Sequence, residues 1–276
     1  MKRSLGRLLT TSAICLGAGV ALAGTPLPNP PFTTGGFVPP DSLVFRQEVA
    51  VGKLLSKYAI GIAKCDWSAL IALQLAYEPA NMGKVPAVQQ KWTDCQTNNL
   101  SKYIVGRNKL VLKGTPACLD QAGIDGIRAQ IDAQFPVLRP TVYCDGDAAA
   151  PDLVTMLNIP DKKQEVEGEV AAAKLAAKAG LLAGKCYSAA LKYAFKFAGA
   201  IPPEFLTKID GCFTKASASA DTAMNKLDQT QKLPGCLPLD DAKNLAAMVI
   251  GVAGQFNDEN YCASPSGAFV ESPEAS

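Results

Sequence analysis

The chain has 276 residues, nine cysteines and no histidine, and its 27 basic residues nearly balance its 25 acidic ones. The lack of histidine excludes serine–histidine and cysteine–histidine catalysis and removes a common metal ligand. Without Lys2, Arg3 and Arg7 near the N-terminus, the chain carries 24 basic and 25 acidic residues. Because no global positive field remains, we expect no nucleic-acid binding.

The first 23 residues have the pattern of a secretory signal peptide. The basic residues precede a short apolar run from Leu8 to Val20, and Ala21-Leu22-Ala23 is a typical cleavage site. The run is shorter than the roughly 20 residues that span a bilayer, and we identify no later segment that is long and uncharged enough to do so. Cys15 lies inside the run in a poor lipoprotein context. We therefore expect an exported protein, either periplasmic or extracellular.

Eight cysteines remain after the signal peptide. They are Cys65, Cys95, Cys118, Cys144, Cys186, Cys212, Cys236 and Cys262. An even number in an exported chain predicts disulfide bonds. Zinc is the alternative, but the chain has no histidine and these cysteines do not form the closely spaced pairs of structural zinc sites.

The cysteine spacing indicates an internal duplication. The four cysteines of the first set are separated by 30, 23 and 26 residues, and those of the second set by 26, 24 and 26. Neighbouring residues agree: Glu48-Val49-Ala50 recurs 121 positions later as Glu169-Val170-Ala171, and Tyr143-Cys144 recurs 118 positions later as Tyr261-Cys262. The sequence therefore predicts a tandem repeat of a four-cysteine unit.

Composition divides the mature chain into four parts. Residues 24–40 are rich in proline and glycine and form a predicted linker. Helical repeats are expected over 41–146 and 147–262, followed by a flexible tail over 263–276.

Each repeat is predicted to be all-α, with a long helix, a turn, a second long helix through the second cysteine, and a shorter helix. The predicted first helices run from Asp41 to Tyr77 and from Lys162 to Phe197. The predicted shorter helices cover about 122–135 and 240–256.

The turn positions predict one disulfide in each repeat. Cys65 and Cys95 are equidistant from residue 80, and Cys186 and Cys212 from residue 199, both inside predicted turns. Residues equidistant from the bend of an antiparallel helical hairpin lie at the same height, so each pair can bond. Elimination leaves Cys118–Cys144 and Cys236–Cys262, with a bond between the repeats as the open alternative.

A lysine stripe marks one face of the long helix in the second repeat. It consists of Lys174, Lys178, Lys185, Lys192 and Lys196. Lys53, Lys57 and Lys64 are its counterpart in the first repeat. A solvated helix face is the simpler interpretation, and binding to an anionic glycan, lipid or protein partner is the alternative.

Aromatic residues cluster on the same helices. Trp67, Tyr187, Tyr193, Phe195 and Phe197 are predicted to lie in the core. The alternative is that they line an apolar ligand cavity between helices.

The joint between the repeats contains Asp145, Asp147 and Asp152. These acids are expected to form turns, because the glycine and the terminal glutamate of a calcium-binding EF-hand loop are missing. We predict no metal site and no cofactor.

These observations favour a non-enzymatic exported structural or binding module made of two disulfide-stapled helical repeats. The alternative function is a carrier of a lipid or other apolar small molecule between the helices. A hydrolase that uses only a pair of carboxylates is the third hypothesis.

Overall fold

The structure is a computed structural model that describes residues 39, 41–76, 83–116, 119–143, 163–198 and 200–255. Its six helices are α1 (Ser42–Ala76), α2 (Val85–Val111), α3 (Gln121–Val142), α4 (Lys163–Lys196), α5 (Pro203–Gln229) and α6 (Leu239–Gln255). Within these ranges there is no β-strand. The prediction of an all-α protein is therefore confirmed.

Helix ends follow the local chemistry of the chain. Asp41 caps α1 by accepting hydrogen bonds from the backbone N–H groups of Leu43 and Val44, at 2.7 and 2.9 Å. Proline stands in the first turn of α2 and of α5, where its missing N–H has no intrahelical partner to lose. Both α1 and α4 begin and end one residue inside their predicted limits.

The predicted end of α3 at residue 135 is wrong, because the helix continues to Val142 with Pro136 and Pro140 inside it. Each proline removes one helical hydrogen bond. The extension is stabilised instead by tertiary contacts: Arg139 binds Asp66 of α1, and Val142 is buried at its end.

Two disulfides join the long helices in pairs. Cys65 of α1 bonds Cys95 of α2, and Cys186 of α4 bonds Cys212 of α5, with a Cα–Cα distance of 5.7 Å in each. Both hairpin pairings are confirmed, and such bonds are typical of proteins that fold in an oxidising compartment. Cys236 is also disulfide-bonded. The predicted Cys118–Cys144 and Cys236–Cys262 bonds involve residues outside the described ranges.

The helices share a single hydrophobic core. Helix α1 packs against α2 and α4, and α4 also packs against α5 and α6, so α1 and α4 form the centre. Seven buried alanines on α4 allow its neighbours to approach closely. The largest fully buried side chains are Tyr103, Leu70, Leu73, Leu119, Ile124, Ile127, Leu191 and Ile209.

Helix α1 differs from the expectation that no segment after the first 23 residues is long and apolar enough to span a membrane. By length and composition it is apolar enough to cross a membrane, alone among the helices of the described part. A core helix of a folded domain satisfies the same criterion, and α1 buries Glu48 and Asp66 among its neighbours.

The predicted signal peptide (1–23), the tail (263–276) and the aspartates of the joint between repeats lie outside the described residues.

Candidate functional site

A partly enclosed cavity of about 440 Å³ lies between α1, α3, α4 and α6. Helix α3 contributes Ile127, Ile131 and Phe135 to its wall, and α6 contributes Leu245 and Val249. This volume falls in the range of roughly 300–1,000 Å³ that small-molecule pockets occupy, and a mostly apolar wall is also typical of them.

Helices α1 and α4 form the rest of the wall as an antiparallel pair. Phe45, near the start of α1, stacks on Phe195, near the end of α4, with ring centroids 5.3 Å apart. Between these ends, a β-carbon added to Gly184 would lie 3.8 Å from Ser56 Oγ. Ser56 and Gly184 therefore lie at the same height on the two helices.

The lining positions of the two halves of the chain correspond. Pairs on α1 and α4 that are 121 residues apart are Gly52 and Ala173, Leu55 and Ala176, Ser56 and Ala177, Ala59 and Gly180, Ile60 and Leu181, and Ala63 and Gly184. Pairs on α3 and α6 that are 118 residues apart are Ile127 and Leu245, Ile131 and Val249, Gln134 and Val252, and Phe135 and Ala253. The first cysteines of the two sets are also 121 residues apart, and the third and the fourth cysteines are 118 apart. Equivalent positions of the two predicted repeats therefore build the cavity.

One end of the cavity contains a buried ion pair. Arg139 Nε donates to Asp66 Oδ2 at 2.8 Å and Arg139 Nη2 donates to Oδ1 at 3.1 Å. Trp92 Nε1 and Gln96 Nε2 also donate to Asp66 Oδ1, at 2.9 and 3.2 Å. Burial raises the pKa of Asp66, and the hydrogen bonds from Arg139 oppose that rise. This carboxylate is fully engaged by the protein.

In contrast to this buried ion pair, three exposed lysines line the rim of the cavity. They are Lys53, Lys57 and Lys185. The structure thus divides the predicted lysine stripe, all of which is exposed. Lys185 faces the cavity, whereas Lys174 Nζ lies 5.5 Å from the centre of the Trp67 ring.

The remaining stripe residues lie outside the lining. Lys196 Nζ lies 5.0 Å from the centre of the Phe197 ring, and Lys178 and Lys192 are exposed. The counterpart Lys64 is exposed as well.

The alternative that the five predicted aromatic residues line a cavity is wrong: all five are described, and none lies in the wall. Tyr187 packs edge-on against Phe213 at 4.7 Å between ring centroids. Tyr193 and Phe197 each lie 4.8 Å from Phe205. Three of the five therefore fill the contact between α4 and α5, on the other side of α4.

Sequence reasoning missed the residues that do form the wall. The available signal was a set of small residues at equivalent places, such as Ala59 and Gly180 or Ala63 and Gly184. Small residues on two long helices allow close crossing and leave space beside it.

Comparison of the chain with protein-family models, with curated proteins and with solved structures gives no match. The function must therefore be argued from the geometry of this site.

Proposed function

We propose that the protein is a non-enzymatic exported binding module that holds an apolar small molecule, such as a lipid, between α1, α3, α4 and α6. The observation that carries this proposal is the apolar cavity of about 440 Å³. We place its action in the periplasm or outside the cell, where its disulfides are stable.

The cavity offers a ligand a large gain from the hydrophobic effect. Apolar surface removed from water contributes roughly 25 cal/mol per Å², and the wall is mainly Ile, Leu, Val, Phe, Ala and Gly. The two disulfides hold α2 to α1 and α5 to α4. Since α1 and α4 are the central wall helices, little ordering is needed on binding, which favours affinity.

We also propose that the chain is a tandem duplication of a three-helix unit, over 41–146 and 147–262. Corresponding helices support this proposal, with 35 and 34 residues in α1 and α4 and 27 in both α2 and α5. The paired lining positions support it further, since two units related by an approximate two-fold axis meet through equivalent residues, as in an isologous dimer.

Hydrolysis by a pair of carboxylates does not fit this site. Among the described residues, Asp66 is the one carboxylate in the wall, and it is bound by Arg139. The hydrolase hypothesis needs two carboxylates roughly 5–10 Å apart in a cleft, so binding without reaction is the better interpretation.

We expect that filling the cavity weakens binding of an apolar probe. We choose Gly184→Leu, because the space beside Gly184 is open up to 3.8 Å from its added β-carbon. Titration of the oxidised protein with N-phenyl-1-naphthylamine, an uncharged fluorescent probe, should show saturable binding that this variant weakens at least about tenfold, or 1.4 kcal/mol.

Gly211→Leu is the matched control. Gly211 is a helical glycine on α5 with nothing within 4 Å of an added β-carbon, and it lies outside the wall. The control should bind the probe like the wild type. Failure of the wild type to bind, or equal binding by all three proteins, would contradict the proposed function.

A further inference from the structure

We infer that the ligand of this cavity is an amphiphile with an anionic head group, and that Lys53, Lys57 and Lys185 bind the head group at the rim. This inference rests on the proposed binding function and assigns the chemical class of its ligand. It is carried by the position of the three lysines and by the state of the other polar groups in the wall.

The three lysines lie at a similar height along the two helices of the rim. Lys53 and Lys57 are four residues apart on α1 and therefore share a face. Lys185 follows Gly184, which lies opposite Ser56, the residue before Lys57. The antiparallel crossing thus brings Lys185 to the height of the two lysines of α1.

Their charge is not neutralised by the protein. Within the described part of the chain, none of the three forms an ion pair. The acid in the wall, Asp66, is 1% exposed and bonded to Arg139. Beside an apolar cavity of low dielectric constant, uncompensated cations attract an anion more strongly than they do in open solvent.

The two serine hydroxyl groups of the wall do not compete for this role. Ser56 Oγ donates to the backbone carbonyl of Gly52 at 2.8 Å, and Ser188 Oγ donates to that of Gly184 at 3.1 Å. Their protons are therefore used within the helices. The lysines remain as charged donors at the rim, which favours an anionic head group over an uncharged polar one.

The apolar part of such a ligand fits the rest of the wall. From the rim, the cavity continues between aliphatic residues of α3 and α6. A hydrocarbon tail placed there removes apolar surface from water, while the head group stays near solvent at the lysines. Carboxylate and phosphate heads share this chemistry, and the test below separates them.

The experiment compares ligands with one tail and different heads. Calorimetric titration of the full mature protein with dodecanoate, dodecyl phosphate, dodecanol and dodecyltrimethylammonium should give tightest binding for one or both anions. The triple variant Lys53→Gln/Lys57→Gln/Lys185→Gln should weaken anion binding about tenfold and leave dodecanol unchanged. Added salt should weaken binding of the anions but not of dodecanol.

The control variant is Lys64→Gln/Lys178→Gln/Lys192→Gln. It removes the same charge from exposed positions on the same two helices, outside the wall. It should retain the preference for anions.

The outcomes separate the inference from the function on which it rests. If dodecanol binds as well as the anions and the rim variant changes neither, the cavity binds apolar molecules but the inference is overturned. Preference for the cation, or an equal loss in the control variant, also overturns it. If no ligand with this tail binds, the proposed function fails too. Circular dichroism of each variant verifies that it is folded.

Discussion

Glu48 is a fully buried acid on α1, and neither of its carboxyl oxygens has a hydrogen-bond partner in the described part of the chain. Glu169 occupies the equivalent place on α4 and is also fully buried. Burial raises the pKa of Glu48 to about 9. At neutral pH its folded form is therefore the uncharged acid.

This pKa makes the stability of the protein depend on pH with a definite sign. The unfolded chain ionises Glu48 near pH 4.5, whereas the folded protein keeps it protonated to about pH 9. The neutral acid's contribution to the free energy of unfolding is complete below about pH 4.5. It is lost progressively as the pH rises through the window from about 4.5 to about 9. Glutamine does not titrate. We expect Glu48→Gln to gain stability relative to the wild type by about 1.4 kcal/mol per pH unit in the window.

Urea unfolding at several pH values between 4 and 8 measures this gain. Glu204→Gln, at an exposed acid in the first turn of α5, serves as the control. The control should show no comparable growth of stability with pH. A Glu48→Gln curve parallel to the wild type would mean that Glu48 ionises at an ordinary pKa in the folded protein.

The sequence identified the two glutamates as matching positions but not as buried ones. An acid on a helix with neighbouring lysines is normally at the surface. Its burial depends on which face of α1 meets the rest of the core, and that is decided by contacts between distant segments. By contrast, the hairpin disulfides could be predicted because their positions depend only on local helix geometry about a turn.

At the scale of elements, α3 is tied to α1 through Asp66 and Arg139. The side chain of Asp66 is 1% exposed and that of Arg139 is 20% exposed. Replacing one member of a buried pair is much more costly than replacing an exposed pair, because the remaining charge has no compensation. The end of α3, which forms part of the cavity wall, therefore depends on this bond.

We expect Arg139→Met to destabilise the protein by about 3–5 kcal/mol, as measured by urea unfolding at pH 7. The loss should increase with pH, because without Arg139 the already raised pKa of Asp66 rises further in the folded state. Adding Asp66→Asn should recover part of the loss, since the uncompensated charge is then removed.

Arg128→Met is the matched comparison for this pair. Arg128 and Asp132 form an ion pair four residues apart on α3, with 25% and 35% of their side chains exposed. Ion pairs four residues apart on one helix contribute roughly 0.3–0.5 kcal/mol. Equal losses in the two arginine variants would show that the Asp66–Arg139 bond does not hold α3 in place.

This tie also explains which helix end the sequence failed to predict. The limits of α1, α4 and α6 follow from proline, glycine and capping residues and are predicted to within one residue. Pro136 and Pro140 indicate an earlier end for α3, because a proline inside a helix removes a backbone hydrogen bond and destabilises the helix. The bond of Arg139 to a residue 73 positions away offsets that cost.

For the whole molecule, the cavity is a consequence of how the two halves meet. Its wall takes residues from α1 and α3 of one half and from α4 and α6 of the other. A pattern of small residues shows that two helices approach closely, but not which helices or at what height. The sequence therefore predicted a cavity between helices as an alternative and assigned it to the wrong residues.

A shared wall and a shared core imply that the halves unfold together, and Gly168 offers a way to test this. A β-carbon at Gly168 would lie 2.0 Å from the backbone carbonyl oxygen of Lys232, so Gly168→Ala must shift the second half. We expect it to destabilise the protein by about 1–3 kcal/mol. Both tryptophans, Trp67 and Trp92, lie in the first half. Trp67 also contacts Lys174 of the second half, whereas Trp92 bonds Asp66 of the first, so their fluorescence reports chiefly on the first half.

Because one core contains residues of both halves, tryptophan fluorescence and far-ultraviolet circular dichroism should give the same lowered unfolding midpoint for Gly168→Ala. Gly211→Ala, where nothing lies within 4 Å of the added carbon, should keep or slightly raise the midpoint. A fluorescence midpoint unchanged by Gly168→Ala, with circular dichroism falling in two steps, would show that the halves unfold separately. In that case each half would be a domain that is stable without the other, and the cavity would be a contact between domains that can open.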